Sequence, residues 1–203
     1  MVSLIPAAVQ RVAGAILNIN PNAQQYYDAC SAFNVIISLL IIALLYKLGA
    51  LWTGSCWFGL LTAGVFSATW YANMWVCHLV PYHVSLALFL AAQVLACLRP
   101  AATSPNARFT VRCALLCGLL TGLGFASYPG YYALLVINSI VTDRLMKPRV
   151  GAVLCYATGE LAVFLVFELA ARFAGHSYLG DMLSVSGTIR QRNYAERFRF
   201  GWR

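Results

Sequence analysis

The chain has 203 residues, of which 61% are hydrophobic and only 10% charged. Average soluble domains are about 25% charged, so this composition excludes an ordinary water-soluble globule and points to an integral membrane protein. The net charge of +8, from 14 Lys and Arg against six carboxylates, reads as loop charge that orients helices, with no nucleic acid implied.

Residues 1–19 have no basic start, and Arg11 interrupts their apolar stretch, so they do not read as a clean signal peptide. Val9, Val12, Ile16 and Leu17 fit one helical face, which predicts an interfacial amphipathic helix, with a poor first span as the competing reading. Apolar spans then follow at 30–48, 55–76, 81–98, 111–127, 129–143 and 150–173. About 20 apolar residues are needed per crossing. The expected fold is therefore all-α: a polytopic helical membrane protein with about five or six transmembrane or partly spanning helices. It forms a single membrane domain over 1–203, with the bundle at 30–173.

The run from Cys113 to Thr142 is broken at its centre by Tyr128-Pro129-Gly130. Pro129 removes a backbone donor and Gly130 frees the chain from helical geometry. Such breaks survive at membrane depth only where protein or a watery cavity satisfies the backbone. Each half is too short, at about 22 Å, for the roughly 30 Å hydrocarbon core, so a pair of short helices near 113–143 is expected.

Loop charge sets the sidedness. Lys47, the connector with Arg99, Arg108 and Arg112, and the connector with Arg144, Lys147 and Arg149 are all basic. The broken run must return to its starting side, because both of its flanks are basic. The positive-inside rule makes all three connectors cytoplasmic. Residues 1–29, 77–81, 128–132 and 174–203 then lie on the extracytoplasmic side, the last as a basic tail. His78, His83, His176, Asp28, Tyr128, Tyr131 and Tyr132 fall at or near that side. The tail adds Arg190 and Arg192 among aromatic residues. Arginine binds phosphate through a planar fork of donors, so the tail suits either a lipid phosphate site or an anionic headgroup surface.

Glu160 lies near mid-depth in the last span, where a carboxylate is costly and is either functional or paired. Glu168 and Arg172 are spaced for an i,i+4 ion pair. Asn34, Asn73, Gln93 and Asn138 are expected to hydrogen-bond between helices. Gly118, Gly122 and Gly124 give small-xxx-small spacing, a packing signal. The seven cysteines, odd in number and without pattern, imply neither a disulfide framework nor a metal site.

Two stretches carry a resemblance: SAFNVIISLLIIALLYKLGALW (31–52) and GLLTGLGFASYPGYYALLVI (118–137). Together with PYHVSLALFLAAQVLACL between them and SGTIRQRNYAERFRF in the tail, they resemble polytopic lipid-linked-sugar glycosyltransferases of the GT-C class. That class includes the protein mannosyltransferases and the bacterial arabinosyltransferases. The resemblance implies sugar transfer from a polyprenyl-phosphate carrier on the extracytoplasmic face, with no cofactor or metal and with membrane lipids as surroundings. It further implies a multi-pass protein of the bacterial inner (plasma) membrane. Arg190, Arg192, His78, His83, Tyr128 and Tyr131 become the candidate lipid-phosphate and substrate contacts. Where the class carries its catalytic carboxylate in an early extracytoplasmic loop, this sequence has no such loop. Asp28 and Glu160 stand as weak candidates for the base, and the sequence reads as part of a larger enzyme or a reduced relative. A non-catalytic polytopic transporter or assembly subunit is the alternative.

Overall fold

The computed structural model of the protein describes residues 23–72, 81–98, 107–127, 136–138, 140 and 150–184. Five long helices fill most of them: α1 (Ala23–Thr53), α2 (Cys56–Ala72), α3 (Pro81–Cys97), α4 (Ala107–Ser127) and α5 (Val150–Phe173). No strand occurs among the described residues. The described residues are all-helical apart from turns, and each of the five long helices overlaps an apolar span of the sequence. The amphipathic segment 1–19 lies outside the described residues.

Three boundaries differ from expectation. α1 begins at Ala23 and not at residue 30, so the end of the segment placed before the first span is already helical. α1 also continues past residue 48 to Thr53: Gly49 stays helical where the α2 backbone approaches it, and Gly54, at φ 70°, ends the helix. α4 begins at Ala107 and carries Arg108 and Arg112, both good helix formers. At 21 residues it reaches about 32 Å, so the first half of the broken run belongs to a full-length helix.

The helices pack as a row in the order α2, α1, α3, α4, α5. α1 and α2 form a tight hairpin through Gly54-Ser55, where Gly54 N–H donates to Ala50 O at 2.9 Å. A Cβ on Gly59 would meet Tyr46 O at 2.5 Å, which shows how closely the two backbones approach. Ile41 and Leu48 of α1 pack with Ala87, Leu90 and Val94 of α3. Trp52 Nε1 donates to Cys97 Sγ at 3.1 Å, pinning the C-terminal ends of α1 and α3 together. α3 and α4 run antiparallel: Ser85 Oγ donates to Gly124 O at 2.6 Å and Cys117 Sγ to Ala92 O at 3.4 Å.

α4 and α5 are parallel and make the closest backbone contact among the described residues. A Cβ on Gly118 would run into Tyr156 O, and one on Gly159 would lie 2.5 Å from Leu115 O. One on Gly122 would meet Val163 Cβ and Glu160 Cα at 3.1 and 3.2 Å. Gly118 and Gly122 therefore face α5, in the small-xxx-small manner expected. Gly124 serves the opposite face, where Ser85 O and Phe89 lie 3.2–3.3 Å from its missing Cβ. Because α4 and α5 run in the same direction, the chain between residues 127 and 150 returns to the end from which it started.

The row has an unusual outside. Ala32–Thr53 and Gly151–Phe173 are long and apolar enough to cross a membrane, and only 11% and 22% of them are buried. A core helix of a soluble protein would be mostly buried. Instead Ile36, Leu39, Trp57, Leu61, Leu154, Val166 and Phe173 all project outward. Full burial of one such side chain stabilises by about 1.5–3 kcal/mol, so water is a poor surrounding for this surface. The hydroxyls of Thr62, Thr69 and Thr158 turn back to carbonyls four residues earlier in their own helices, at 2.6–2.8 Å. They add little unsatisfied polarity to that surface.

Gly118→Ala should lower the melting temperature of the detergent-solubilised protein by several degrees. Overpacking against backbone costs about 1–3 kcal/mol. Gly151→Ala, whose Cβ meets nothing within 4 Å, should leave it unchanged or raise it slightly. Equal melting temperatures for wild type and Gly118→Ala would contradict the close α4–α5 contact.

Candidate functional site

The helix directions divide the row into two ends. One end gathers the C-termini of α1 and α3 with the N-termini of α2, α4 and α5. The other gathers the N-terminal parts of α1 and α3 with the C-termini of α2, α4 and α5. This second end is where the sequence concentrates its chemically able residues, and most of the described buried polar groups lie in the half of the row nearest to it.

His83 and Ser85 lie near the start of α3, and Asn34 and Ser38 lie in the first half of the apolar window of α1; all four are buried. Thr121 on α4 accepts a 2.8 Å hydrogen bond from Asn138 Nδ2, with both residues fully buried. Asn138 thus bridges to a helix, as its place in an apolar run predicted. The Oδ1 atom of Asn138 is also buried, with no hydrogen-bond donor among the described residues. Glu160 lies on α5 beside Gly122, the residue after Thr121, and is half-buried. It stands about 12 Å deeper than Glu168, two turns along the same helix.

Glu168 organises the end of α5. Its carboxylate accepts from Arg172 Nε at 2.7 Å, forming the expected i,i+4 pair. It also accepts from Ser177 Oγ at 2.9 Å and from Leu179 N–H at 3.0 Å. α5 ends in a Schellman turn: Gly175, at φ 87°, donates to Arg172 O, and His176 N–H donates to Ala171 O. Ser177 then caps a short helical segment, residues 178–184, donating its Oγ to Glu168 while accepting from Gly180 N–H at 3.1 Å.

That segment folds back onto α4. Tyr178 O–H donates to Ala126 O at 3.2 Å, and its ring lies 5.6 Å from that of Phe167. Burial pushes the Tyr178 hydroxyl above its ordinary pKa, so it stays a donor to Ala126. His176 Nδ1 and Asp181 Oδ2 pair at 3.0 Å on the exposed side of the turn.

The sequence candidates fare unevenly. His83 is only 1% exposed, inside the packed part of α3 and not on an open surface. Glu160 lies in the α4–α5 seam. Asp28 falls in α1, but its side chain lies outside the described residues, as do His78, Tyr128, Tyr131, Arg190 and Arg192. No group of three His, Cys, Asp or Glu that could hold a metal occurs among the described residues. The triple use of Glu168 escaped the sequence reading; Gly175 two residues before a capping Ser177 was its available signal.

Comparison of the chain with protein-family models, with curated proteins and with solved structures finds no match.

Glu168→Ala leaves Ser177 and Leu179 without their acceptor. Loss of one charged hydrogen-bond partner costs about 1.5–3 kcal/mol, so amide exchange at Leu179 should accelerate roughly ten- to a hundredfold. Unchanged exchange over residues 177–181 by mass spectrometry would show that the carboxylate does not hold the segment.

Proposed function

We propose that the protein is a multi-pass membrane protein of the lipid-linked-sugar glycosyltransferase type. It transfers a sugar from a polyprenyl-phosphate carrier to an acceptor on the extracytoplasmic face. The observation that carries the reading is the parallel α4–α5 pair. It demands a return of the chain between residues 127 and 150, and Tyr128-Pro129-Gly130 stands directly after α4. A broken helix pair at this place is what the resemblance in residues 118–137 implies. The outward apolar surface of α1, α2 and α5 supports lipid as the surroundings. The 22 residues of Ala32–Thr53 give about 33 Å of helix, matched to a hydrocarbon core of about 30 Å.

In this reading, a carboxylate takes the proton of the acceptor hydroxyl as that oxygen bonds to the sugar's anomeric carbon. The bond from that carbon to the carrier phosphate breaks, and the phosphate leaves with its negative charge. Arg190 and Arg192 neutralise that charge through forked hydrogen bonds. Asp28 and Glu160 are the candidate bases. The reaction draws on no nucleotide.

A second reading, a non-catalytic polytopic subunit or transporter, draws on a different observation. The Glu168 carboxylate is fully engaged in holding the chain, and His83 is enclosed by packing. Both residues behave as framework. A functional assay separates the two readings.

Arg190→Ala and Arg192→Ala should each reduce sugar transfer from polyprenyl-phosphate donors by about ten- to a hundredfold, the worth of one charged hydrogen bond. The amount of protein recovered in membranes should not change. Transfer at the wild-type rate in both variants would remove the phosphate-clamp role. No transfer by the unaltered protein with any such donor would favour the subunit reading.

A further inference from the structure

The turn between α1 and α2 lies at the end of the row opposite the candidate site. We propose that this turn, with Trp57 and Lys47, seats that end of the protein in a phospholipid headgroup layer rich in anionic lipid. The proposal rests on the membrane reading above and adds the depth and the partner of one specific surface.

Four observations place the turn there. The first is backbone polarity. Gly54 N–H reaches Ala50 O and Ser55 N–H reaches Thr53 Oγ1, yet a chain reversing in two residues leaves helix-end carbonyls and amides beyond these bonds. Such groups are not tolerated in contact with hydrocarbon, so the turn belongs at a hydrated layer. The second is Trp57, which is 79% exposed on the first turn of α2. An exposed indole with an apolar body and one donor favours the headgroup level. Trp52, by contrast, spends its N–H on Cys97 and serves as a pin between helices.

The third observation is Lys47, exposed on α1 about 10 Å below Gly54 along the helix. A long aliphatic stem lets its ammonium rise to the headgroups while its carbons remain among acyl chains. The fourth is charge. Arg112 is exposed on α4 near the same end, since Ala114 packs with Ala96 of α3. Among the described side chains, the carboxylates of Glu160, Glu168 and Asp181 all lie on α5 or beyond it, toward the middle or the opposite end. With no carboxylate described at the turn end, anionic headgroups complement its exposed cations.

The test uses the full chain in liposomes of phosphatidylcholine and phosphatidylglycerol, with Trp57 as its single tryptophan and Phe at the other four positions. A matched reporter carries Leu40→Trp, on the exposed middle of α1, with Phe replacing all five natural tryptophans. Lipids spin-labelled near the headgroup or deep in the acyl chain quench each in turn. The proposal expects Trp57 to be quenched more by the shallow label and the Leu40→Trp reporter more by the deep one. Stronger quenching of Trp57 by the deep label overturns the anchor while leaving the membrane reading intact. Absence of quenching by either label in both reporters overturns both. In the unaltered chain, Cys56 beside Trp57 should react with a charged, membrane-impermeant maleimide supplied to both faces. A Cys56 that stays unmodified on both faces overturns the headgroup placement independently of tryptophan replacement.

Discussion

Backbone contact between α4 and α5 governs the architecture. Three glycines, Gly118, Gly122 and Gly159, remove the side chains that would otherwise hold these helices apart. Contact at this distance makes the packing of the seam depend on dispersion between main chains, which is effective only when small residues align. Because the two helices run in parallel, they cannot be joined by a short loop. The chain between them has to travel the length of the row, and the break at Tyr128-Pro129-Gly130 lies at the start of that return. Tyr178 and Phe167 then tie the chain after α5 back to the end of α4, so both helices finish in one assembled structure.

That direction of α5 also decides which groups meet. It brings Glu168, Arg172, His176 and Asp181 to the same end as the C-terminus of α4, and leaves Lys47, Trp57 and Arg112 at the other. One end therefore carries mixed charge with extensive hydrogen bonding, while the other carries described cations and exposed aromatic surface. Between them lies an outward apolar belt whose threonine hydroxyls bond to carbonyls of their own helices. A protein with two unlike ends and an apolar waist fits a bilayer with two unlike faces, and the proposed function places sugar transfer at the end with mixed charge.

Much of this was legible in the sequence because hydropathy and loop charge are strong, local signals. Every long helix overlaps an apolar span, and the basic flanks of residues 113–142 required the return that the parallel α4–α5 pair displays. The i,i+4 spacing of Glu168 and Arg172 and the Gly118–Gly122 spacing also carried through to contacts. Helix ends were less legible, since α1 starts at Ala23, ahead of its apolar span, and runs to Thr53 through Gly49, a local stop signal that the contact with α2 overrides. Contacts between distant positions left no local trace. Ser85 with Gly124, Trp52 with Cys97 and Tyr178 with Ala126 are separated by 39, 45 and 52 residues. His83 read first as an interfacial packing residue and second as a substrate contact, and it lies buried in α3. The arginines of the tail were legible as chemistry, but their position depends on chain beyond residue 184.

The sidedness of the two ends decides whether the row crosses a membrane. Single cysteines introduced at Ser55 and Asp181, in a chain with its natural cysteines replaced, would be labelled with an impermeant maleimide in sealed, uniformly oriented vesicles, before and after permeabilisation. The account predicts that one position reacts before permeabilisation and the other only after it, because the two lie at opposite ends of a membrane-crossing row. Labelling of both positions from the same side would contradict it.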